Sequence, residues 1–405
     1  MRNDLERLLQ ERELDGFVAF GNPVHSPALW YFLKGANLGI SWYLGGRGGR
    51  AHLIHNPMER DDAVKVGVEM STPAANNFRA LLESSRSNAH ASARMVGERL
   101  KAMGVSGRVA LYGSAPAGES VELARTLEGE FGCTVVADDK LPLADEIRYT
   151  KDKSEIDTTR ELGKVTCKVM GRLRACLKSL KPGRDGLARP DGTPALLGDL
   201  RTLLRVGFIE HGLVEPHGSI VAQGRDAGVP HNHGDDAQPI RAGEPIVVDI
   251  YPQQIGGGYH FDMTRTFCVG QARPELRELF ETVKEAHLLS LKSFAAGVMA
   301  RSYQDAVCEF FESKGHRTLR QDDKLEEGYV HSLGHGLGLE LHERPRFAST
   351  PTNADVILPG TVFTVEPGLY YPSRGMGIRL EDVLVARDDG TFENLTDFPY
   401  DMEVV

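Results

Sequence analysis

The sequence predicts an α/β (α+β) protein of two domains, in which a smaller α/β domain precedes a larger, β-rich domain. Three observations support this prediction. The chain has 405 residues, which is more than one domain usually contains. Strand patterns alternate with helical patterns over residues 1–147, as they do in α/β domains. From Gly218 onward strand patterns dominate, with two helical stretches among them. We therefore place the domains at 1–147 and 148–405.

The elements of the first domain follow from the spacing of its apolar residues. Residues 1–16 place leucines on one helical face, and Gly16–Phe20 is an apolar strand. Further elements are predicted as strands at Arg50–His55 and Arg108–Tyr112 and as a helix at Ser92–Met103, which Gly104 ends. The domain closes near Leu141-Pro142-Leu143.

The second domain begins with a long helix. Ser154 is the predicted N-cap, and Pro182-Gly183 end the helical pattern after about Leu180. The remaining predicted helices are Pro194–Val206, Pro274–Ala296 and Ser302–Lys314.

Composition excludes several classes of protein. The net charge is −10, and no basic cluster stands out, which disfavours a nucleic-acid partner. No apolar run reaches the roughly 18 residues that span a bilayer, so no membrane is expected. The five cysteines form no CxxC pair, which argues against a disulfide framework or structural zinc and favours a cytoplasmic location.

Four carboxylates occupy unusual positions. Asp249, Asp262, Glu366 and Glu381 each lie within an apolar strand pattern, and His335 lies in the glycine-flanked segment GHGLG. A carboxylate in an apolar strand is costly unless it is paired or bound to a metal. For any one of these acids the alternative is a capping or salt-bridge residue.

The spacing of these acids suggests two hairpins. A turn centred on Ile255 and Gly256 would place Asp249 opposite Asp262, and a turn at Ser373 and Arg374 would place Glu366 opposite Glu381. Facing like charges destabilise a sheet, and a divalent cation between them would relieve this. Four carboxylates and one imidazole suit a pair of manganese, cobalt or zinc ions.

Residues 148–405 resemble the pita-bread metallopeptidases, which include methionine aminopeptidase, aminopeptidase P and prolidase. Four motifs carry the resemblance, VVDI…GYHFDMTRTF, HSLGHGLGLELHE, TVEPGLY and GIRLEDVLV. The resemblance implies two divalent ions per chain, most simply Mn²⁺, with Co²⁺ or Zn²⁺ as alternatives. It implies that Asp262 and Glu381 bridge the ions, that His335 and Glu366 hold one of them, and that Asp249 chelates the other.

The resemblance also implies the groups that act on the substrate. Glu366 would move the proton, while His231 and His342 would hydrogen-bond the substrate carbonyl. His233 competes with His231 for this role, but the Pro230-His231 pair matches the family pattern. Arg379 should share a strand face with Glu381, as a counter-ion, as a residue that orients a ligand, or in the substrate site.

One spacing departs from the family pattern. Asp249 and Asp262 are 13 positions apart in the sequence, two more than common members have. The extra residues fall within 252–257 and lengthen the hairpin tip. Because two residues are added, both acids can still face the same way.

The first domain narrows the expected substrate. Residues 1–147 resemble, more weakly, the extra domain of aminopeptidase P and prolidase, with Ala28–Gly35 as the matching aromatic segment. This likeness implies a cap over the active site, a homodimer, and short proline-containing peptides as substrates.

Two activities fit this resemblance. A compact cap favours an Xaa-Pro dipeptidase over an Xaa-Pro aminopeptidase that acts on longer peptides. A dipeptidase needs a cation for the product carboxylate, and Arg344, Arg346 and Arg374 are the candidates. A metal-free creatinase and a non-catalytic binding module are distant alternatives, because proteins of both kinds have lost metal ligands that this sequence keeps.

Overall fold

The computed structural model describes residues 4–138 and 140–405. These residues form two compact units. The first unit extends to Arg148 and includes Gly256–Gly258, and the second contains 149–255 and 259–405. Within the described part of the chain, no helix is both long and apolar enough to cross a membrane.

The first unit is built on a six-stranded mixed sheet in the order β4-β3-β2-β1-β5-β6. The central strand β1 pairs antiparallel with β2 and parallel with β5. The strands are β1 (Gly16–Gly21), β2 (Ser41–Gly46), β3 (Arg50–Ile54), β4 (Glu69–Ser71), β5 (Arg108–Ser114) and β6 (Thr134–Val136). The three predicted strands are thus confirmed, within one or two residues.

The helices of the first unit differ in length from those predicted. The first runs only over Leu5–Glu11, and the helix predicted from Ser92 begins at Asn88, where the Ser87 side chain caps its first turn. The helices are α1 (Leu5–Glu11), α2 (Pro27–Phe32), α3 (Arg60–Ala63), α4 (Phe78–Ser84), α5 (Asn88–Ala102), α6 (Ala117–Phe131) and α7 (Leu143–Glu146).

The second unit opens with its longest helix, whose start differs from the prediction. Asp152, rather than Ser154, is the N-cap, since its carboxylate accepts hydrogen bonds from the backbone amides of Ser154 and Glu155. Glu155 completes a capping box by accepting the Asp152 amide. The helices of this unit are α8 (Lys153–Ser179), α9 (Leu197–Ile209), α10 (Pro274–Ser293) and α11 (Ala300–Ser313).

The strands of the second unit form two larger sheets. One has the order β10-β11-β13-β21 and the other β15-β14-β16-β19-β20, while β17 and β18 form a separate hairpin. The strands are β7 (Lys181–Pro182), β8 (Leu187–Ala188), β9 (Leu213–Val214), β10 (Ile220–Gln223), β11 (Ile246–Ile250), β12 (Gln253–Gln254), β13 (Met263–Val269), β14 (His335–Gly336), β15 (Glu343–Arg346), β16 (Val362–Val365), β17 (Gly368–Tyr371), β18 (Met376–Arg379), β19 (Asp382–Ala386), β20 (Phe392–Asn394) and β21 (Glu403–Val404).

The register of the second predicted hairpin is confirmed. Val365 pairs with Asp382 in one ladder, and Gly368 pairs with Arg379 in the next. Both ladders share one register, so Glu366 and Glu381, which lie between them, face each other as predicted.

The register predicted for the first hairpin is wrong by two residues. Asp249 pairs with Thr264, so the ladder is centred between Gly256 and Gly257 rather than at Ile255 and Gly256. The reason is β12, which forms inside the connection and pairs with β9. Because the shift is even, Asp249 and Asp262 keep the same side of the strand pair.

An aromatic core supports the strand that leads to Glu366. Helices α10 and α11 contribute Phe280 and Phe311 to a buried cluster that also contains Phe363 of β16. The rings of Phe294 and Phe363 meet edge to face at 5.0 Å between centroids. Burying one such side chain contributes about 1.5–3 kcal/mol, so this core holds β16 firmly in place.

Candidate metal centre and active site

A cavity of about 360 Å³ lies within the second unit. This volume suits a small ligand. Its walls are unusually rich in groups that bind metals or move protons. The lining includes six histidines, four carboxylates and one guanidinium: His217, His231, His233, His331, His335, His342, Asp249, Asp262, Glu366, Glu381 and Arg379.

Three of the predicted ligands lie close together in the lining of this cavity. One ligand atom each of Asp262, His335 and Glu381 lies within 4.8 Å of the other two, and all three residues are buried. Oδ1 of Asp262 and Oε1 of Glu381 are buried without a hydrogen-bond partner among residues 4–138 and 140–405. Buried carboxylate oxygens need a partner, and a divalent cation would provide one.

Glu366 lies beside this group. Its Oε1 is 3.3 Å from Nε2 of His335, and its Oε2 is 3.4 Å from Nδ1 of His331. The Thr364 hydroxyl donates to Oε1 of Glu366 at 3.2 Å. Glu366 therefore stands between the predicted metal ligands and a second imidazole.

Asp249 is held on the other side of the centre by Arg379. The Arg379 guanidinium donates to Oδ2 of Asp249, to the Thr264 hydroxyl at 3.2 Å and to the Tyr370 hydroxyl at 2.8 Å. Oδ1 of Asp249 is buried without a partner in the described part of the chain. Arg379 is only 1% exposed, and these contacts favour an orienting role over direct contact with a substrate.

The shifted pKa values of the buried carboxylates indicate that a cation would stabilise this centre. Burial raises the pKa of Asp262 well above its usual range, and the nearby carboxylates of Glu381 and Asp249 raise it further. Burial, followed by the charges of Glu366 and Asp249, raises the pKa of Glu381 in the same way. Burial also lowers the pKa of His335 to about 3, which keeps this imidazole neutral, the form that ligates metals.

The donor set fits hard or borderline divalent ions. Carboxylate oxygens dominate it, with one imidazole and no thiolate among the predicted ligands, and this pattern suits Mn²⁺, Co²⁺ or Zn²⁺. Two threonine hydroxyls orient the two glutamates. The Thr264 hydroxyl donates to Oε2 of Glu381 at 2.6 Å, and the Thr364 hydroxyl donates to Oε1 of Glu366 at 3.2 Å. The sequence pattern gave no signal for these threonines, because their contacts depend on strand pairing.

Three further histidines, His231, His331 and His342, line the same cavity. Nε2 of His231 lies 3.3 Å from Nε2 of His331, and the ring of His342 meets that of His335 edge to face at 4.4 Å between centroids. His331 was not among the predicted site residues. Its signal in the sequence is its place four residues before His335, within the same motif. His233 also lines the cavity, with its Nδ1 3.4 Å from the Ser219 carbonyl oxygen.

The three arginines considered for a substrate carboxylate are placed differently. Arg374 is not among the described residues that line the cavity, and it forms an ion pair with Glu275. Arg344 is paired with Asp355 at 2.5 Å. Arg346 is exposed and is likewise not among the described residues that line the cavity, but its guanidinium has no ion-pair or hydrogen-bond partner in the part of the chain that the structure describes. Its positive charge is close enough to His342 to reinforce the effect of burial, which lowers the pKa of that imidazole.

Glycines allow the His335 segment to approach its neighbours. A Cβ at Gly334 would lie 2.1 Å from the Thr364 carbonyl oxygen, and one at Gly336 would lie 2.0 Å from that of Arg344. No side chain fits at these distances, so the glycines on both sides of His335 are required by close backbone packing.

Known proteins are similar to this chain in sequence and in fold. The chain is 30% identical over 259 residues to the probable dipeptidase PepE of Mycobacterium bovis, covering 64% of this chain and 61% of that protein. It is 32% identical over 172 residues to the Xaa-Pro dipeptidase of Pyrococcus furiosus, covering 42% of this chain and 45% of that protein. The matches thus span less than two thirds of either relative.

The solved structure of the Xaa-Pro dipeptidase from Bacillus anthracis superposes with a TM-score of 0.76 at 23% identity, over 99% of this chain and 98% of that chain. This match confirms the predicted fold class, a pita-bread domain preceded by a smaller α/β domain. Residues 157–388 match the sequence profile of metallopeptidase family M24. Because this match covers more than half of the sequence, the chain belongs to metallopeptidase family M24.

Proposed function

We propose that this protein is an Xaa-Pro dipeptidase, a prolidase, that hydrolyses the peptide bond before proline with two divalent ions per chain. The observation that carries this proposal is the group of Asp262, His335 and Glu381, which lies beside Glu366. One buried carboxylate oxygen of Asp262 and one of Glu381 have no hydrogen-bond partner within residues 4–138 and 140–405. The named relatives support a dipeptidase. Mn²⁺ is the first candidate metal, and Co²⁺ and Zn²⁺ are alternatives.

The residues of the centre would have different roles in metal binding and proton transfer. Divalent ions bound there would supply Lewis acidity and activate water near neutral pH. Asp262 and Glu381 would bridge the ions, His335 and Glu366 would hold one of them, and Asp249 would hold the other. Glu366 would also move a proton, because burial raises its pKa above the usual carboxyl range and so favours accepting one.

The histidines would act on the substrate. His231 and His342 lie on the cavity wall and would donate hydrogen bonds to the substrate carbonyl as negative charge develops on it. His331 contacts both His231 and Glu366 and would orient His231. The substrate amino group would lie on the Asp249 side of the centre, which restricts cleavage to the N-terminal residue.

Arg346 supports a dipeptidase over an aminopeptidase. A free proline carboxylate at the end of a dipeptide needs a cation to receive it. Arg344 and Arg374 are already paired with carboxylates, whereas Arg346 is exposed and its charge lies near His342. A longer peptide would carry its carboxylate beyond this position. We therefore infer that Arg346 selects short substrates. A homodimer, and a first unit that limits peptide length, are further parts of this proposal.

The experiment compares steady-state rates on Ala-Pro and Ala-Pro-Ala, with Mn²⁺ and with a chelator. We expect Ala-Pro to be the preferred substrate and hydrolysis to require the metal. We also expect Arg346→Met to lower kcat/KM for Ala-Pro about tenfold or more, because the variant loses a charge-assisted hydrogen bond. Arg374→Met is the matched control and should change little. Preference for Ala-Pro-Ala would instead identify an Xaa-Pro aminopeptidase, and no hydrolysis with any of the three metals would favour a binding module.

A further inference from the structure

The first residues of the second unit form a buried ion pair with the loop that carries His342. Nζ of Lys151 lies 2.6 Å from Oε2 of Glu343, and the two side chains are 2% and 6% exposed. The Lys151 amide also donates to the Gly360 carbonyl oxygen at 2.7 Å. Lys151 is therefore fixed by its backbone as well as by its ammonium group.

The Glu343 carboxylate stabilises this loop through hydrogen bonds with the loop backbone. Its Oε1 accepts hydrogen bonds from the amides of Leu339 at 3.0 Å and Glu340 at 3.2 Å. A Cβ at Gly338 would lie 2.5 Å from Oε2 of Glu343, so a larger residue there would displace the carboxylate. The carboxylate is thus the centre around which residues 338–343 fold.

The opposite side of the same loop faces the candidate active site. Leu341 and His342 line the cavity, and the His342 ring packs edge to face on His335. The loop is also joined to the segment of Asp262, since the His260 amide donates to the Gly338 carbonyl oxygen at 2.8 Å. A shift of this loop would therefore move His342 relative to the metal ligands.

The ion pair determines whether the loop can hold this position. A buried carboxylate without its cation is strongly destabilised and seeks water. If Lys151 were lost, Glu343 would turn toward solvent and release the two amides that it holds. A displacement of about 1 Å at a substrate-binding group can cost about a hundredfold in rate.

We propose that Lys151 is a positioning residue for His342, which it holds in place by neutralising Glu343 inside the loop 338–343. The proposal rests on the proposed function, in which His342 binds the substrate carbonyl. It assigns a role in the hydrolytic reaction to a residue that touches neither the substrate nor a metal ion.

The test is a double-mutant cycle between Lys151→Met and His342→Ala, measured on Ala-Pro with Mn²⁺. Lys151→Met should lower kcat about tenfold to a hundredfold with a smaller change in KM. In the His342→Ala background it should have little further effect, because the group that it positions is gone. Adding Glu343→Gln to Lys151→Met should restore much of kcat, since glutamine still accepts the loop amides and leaves no buried charge. Equal losses in both backgrounds would overturn the proposal.

Arg160→Met is the matched control for stability. Arg160 lies on the following helix, α8, and pairs with Glu393 at 2.9 Å away from the cavity. Its loss should lower the unfolding temperature without lowering kcat. If it lowers kcat as Lys151→Met does, the effect is general destabilisation and the proposal fails. Should Lys151→Met not fold, Lys151→Gln removes the charge but keeps a polar group, and it goes through the same cycle with the same two outcomes.

A second measurement does not depend on activity. Hydrogen exchange of the Leu339 and Glu340 amides should quicken about tenfold or more in Lys151→Met and stay unchanged in Arg160→Met. Unchanged exchange in Lys151→Met would overturn the positioning role even if the enzyme is active. Absence of hydrolysis by the unaltered protein would instead refute the proposed function, while this exchange result would still stand.

Discussion

Arg379 donates a hydrogen bond to Oδ2 of Asp249 in the interior of the second unit. Arg379 is 1% exposed and Asp249 is 8% exposed, so both charges depend on this contact. The same guanidinium donates to the Pro230 carbonyl oxygen at 3.2 Å, next to His231. Arg379 therefore connects a predicted metal ligand with the turn that carries a predicted substrate-binding histidine.

We expect Arg379→Met to be costly to stability and to metal binding. Removing one partner of a buried ion pair typically costs about 3–5 kcal/mol, because the other charge stays buried and unpaired. Asp249 would then lose its orientation as well, which should weaken metal binding about tenfold to a hundredfold. Urea denaturation and Mn²⁺ titration measure the two effects. Arg374→Met, which removes an exposed ion pair, is the control and should cost less than about 1 kcal/mol. Unchanged metal affinity in Arg379→Met would contradict the orienting role.

Asp262→Asn and Glu381→Gln should abolish hydrolysis while the protein stays folded. Each change removes the negative charge of a predicted bridging ligand, so activity should fall by more than about a hundredfold, the upper range for residues that only support ligands. The metal-free variants should be at least as stable as the unaltered protein, because each amide relieves repulsion among buried carboxylates. Activity assays and thermal unfolding test both parts. Asp388→Asn, at an exposed position, should change neither. Retained hydrolysis would exclude the bridging roles.

The sequence predicted one carboxylate pair better than the other for a local reason. Glu366 and Glu381 flank a short turn, and the register follows from the sequence alone once the turn at Ser373 and Arg374 is recognised. The connection after Asp249 instead contains a strand, β12, that pairs with the distant β9. A partner so far away in the chain leaves no periodic signal in the connection, and the predicted register was two residues off.

Contacts between remote segments also leave no pattern in the sequence. Lys151 and Glu343 lie 192 positions apart, and neither residue stands out in its own segment. His331 is different, because it lies within the same motif as His335, HSLGHGLGLELHE. The glycine-flanked His335 already provides the imidazole ligand of that motif, so the pattern does not single out His331. Only the fold shows that His331 reaches both Glu366 and His231.

The stability of the metal-free protein should fall as pH rises above neutrality. Burial and neighbouring carboxylates raise the pKa values of Asp262 and Glu381 well above their usual range, and burial raises the pKa of Glu366 to about 8. The folded state therefore keeps protons near neutral pH that the unfolded chain has released. Stability then falls with pH above the ordinary carboxyl pKa of about 4. Burial lowers the pKa of His331 and His335 to about 3, which opposes this trend only below about pH 6.5.

The measurement is therefore the unfolding temperature between about pH 7 and pH 9, with a chelator and with Mn²⁺. We expect a downward slope without metal, a shallower slope in metal-free Asp262→Asn, and a stabilisation by Mn²⁺ that grows with pH as proton competition for the ligands declines. Equal slopes for the unaltered protein and Asp262→Asn would show that Asp262 is not protonated in the metal-free fold.

His331→Ala should impair turnover more than substrate binding. Burial lowers the pKa of His331 to about 3, so this imidazole is neutral at working pH and carries one N–H. That N–H is on Nδ1, which donates to the Ser332 carbonyl oxygen at 2.9 Å, and Nε2 is left to accept from Nε2 of His231. Without His331, His231 would lose the partner that orients it towards the negative charge that develops in the transition state. Because losing such a donor outright costs about a hundredfold to a thousandfold in kcat, we expect a loss of up to about a hundredfold. Steady-state kinetics on Ala-Pro separate kcat from KM, and metal content should be unchanged because His331 is not a predicted ligand. His211→Ala, at an exposed position outside the cavity lining, is the matched control. A rise in KM alone would assign His331 to ground-state binding, and loss of metal would assign it to the centre itself.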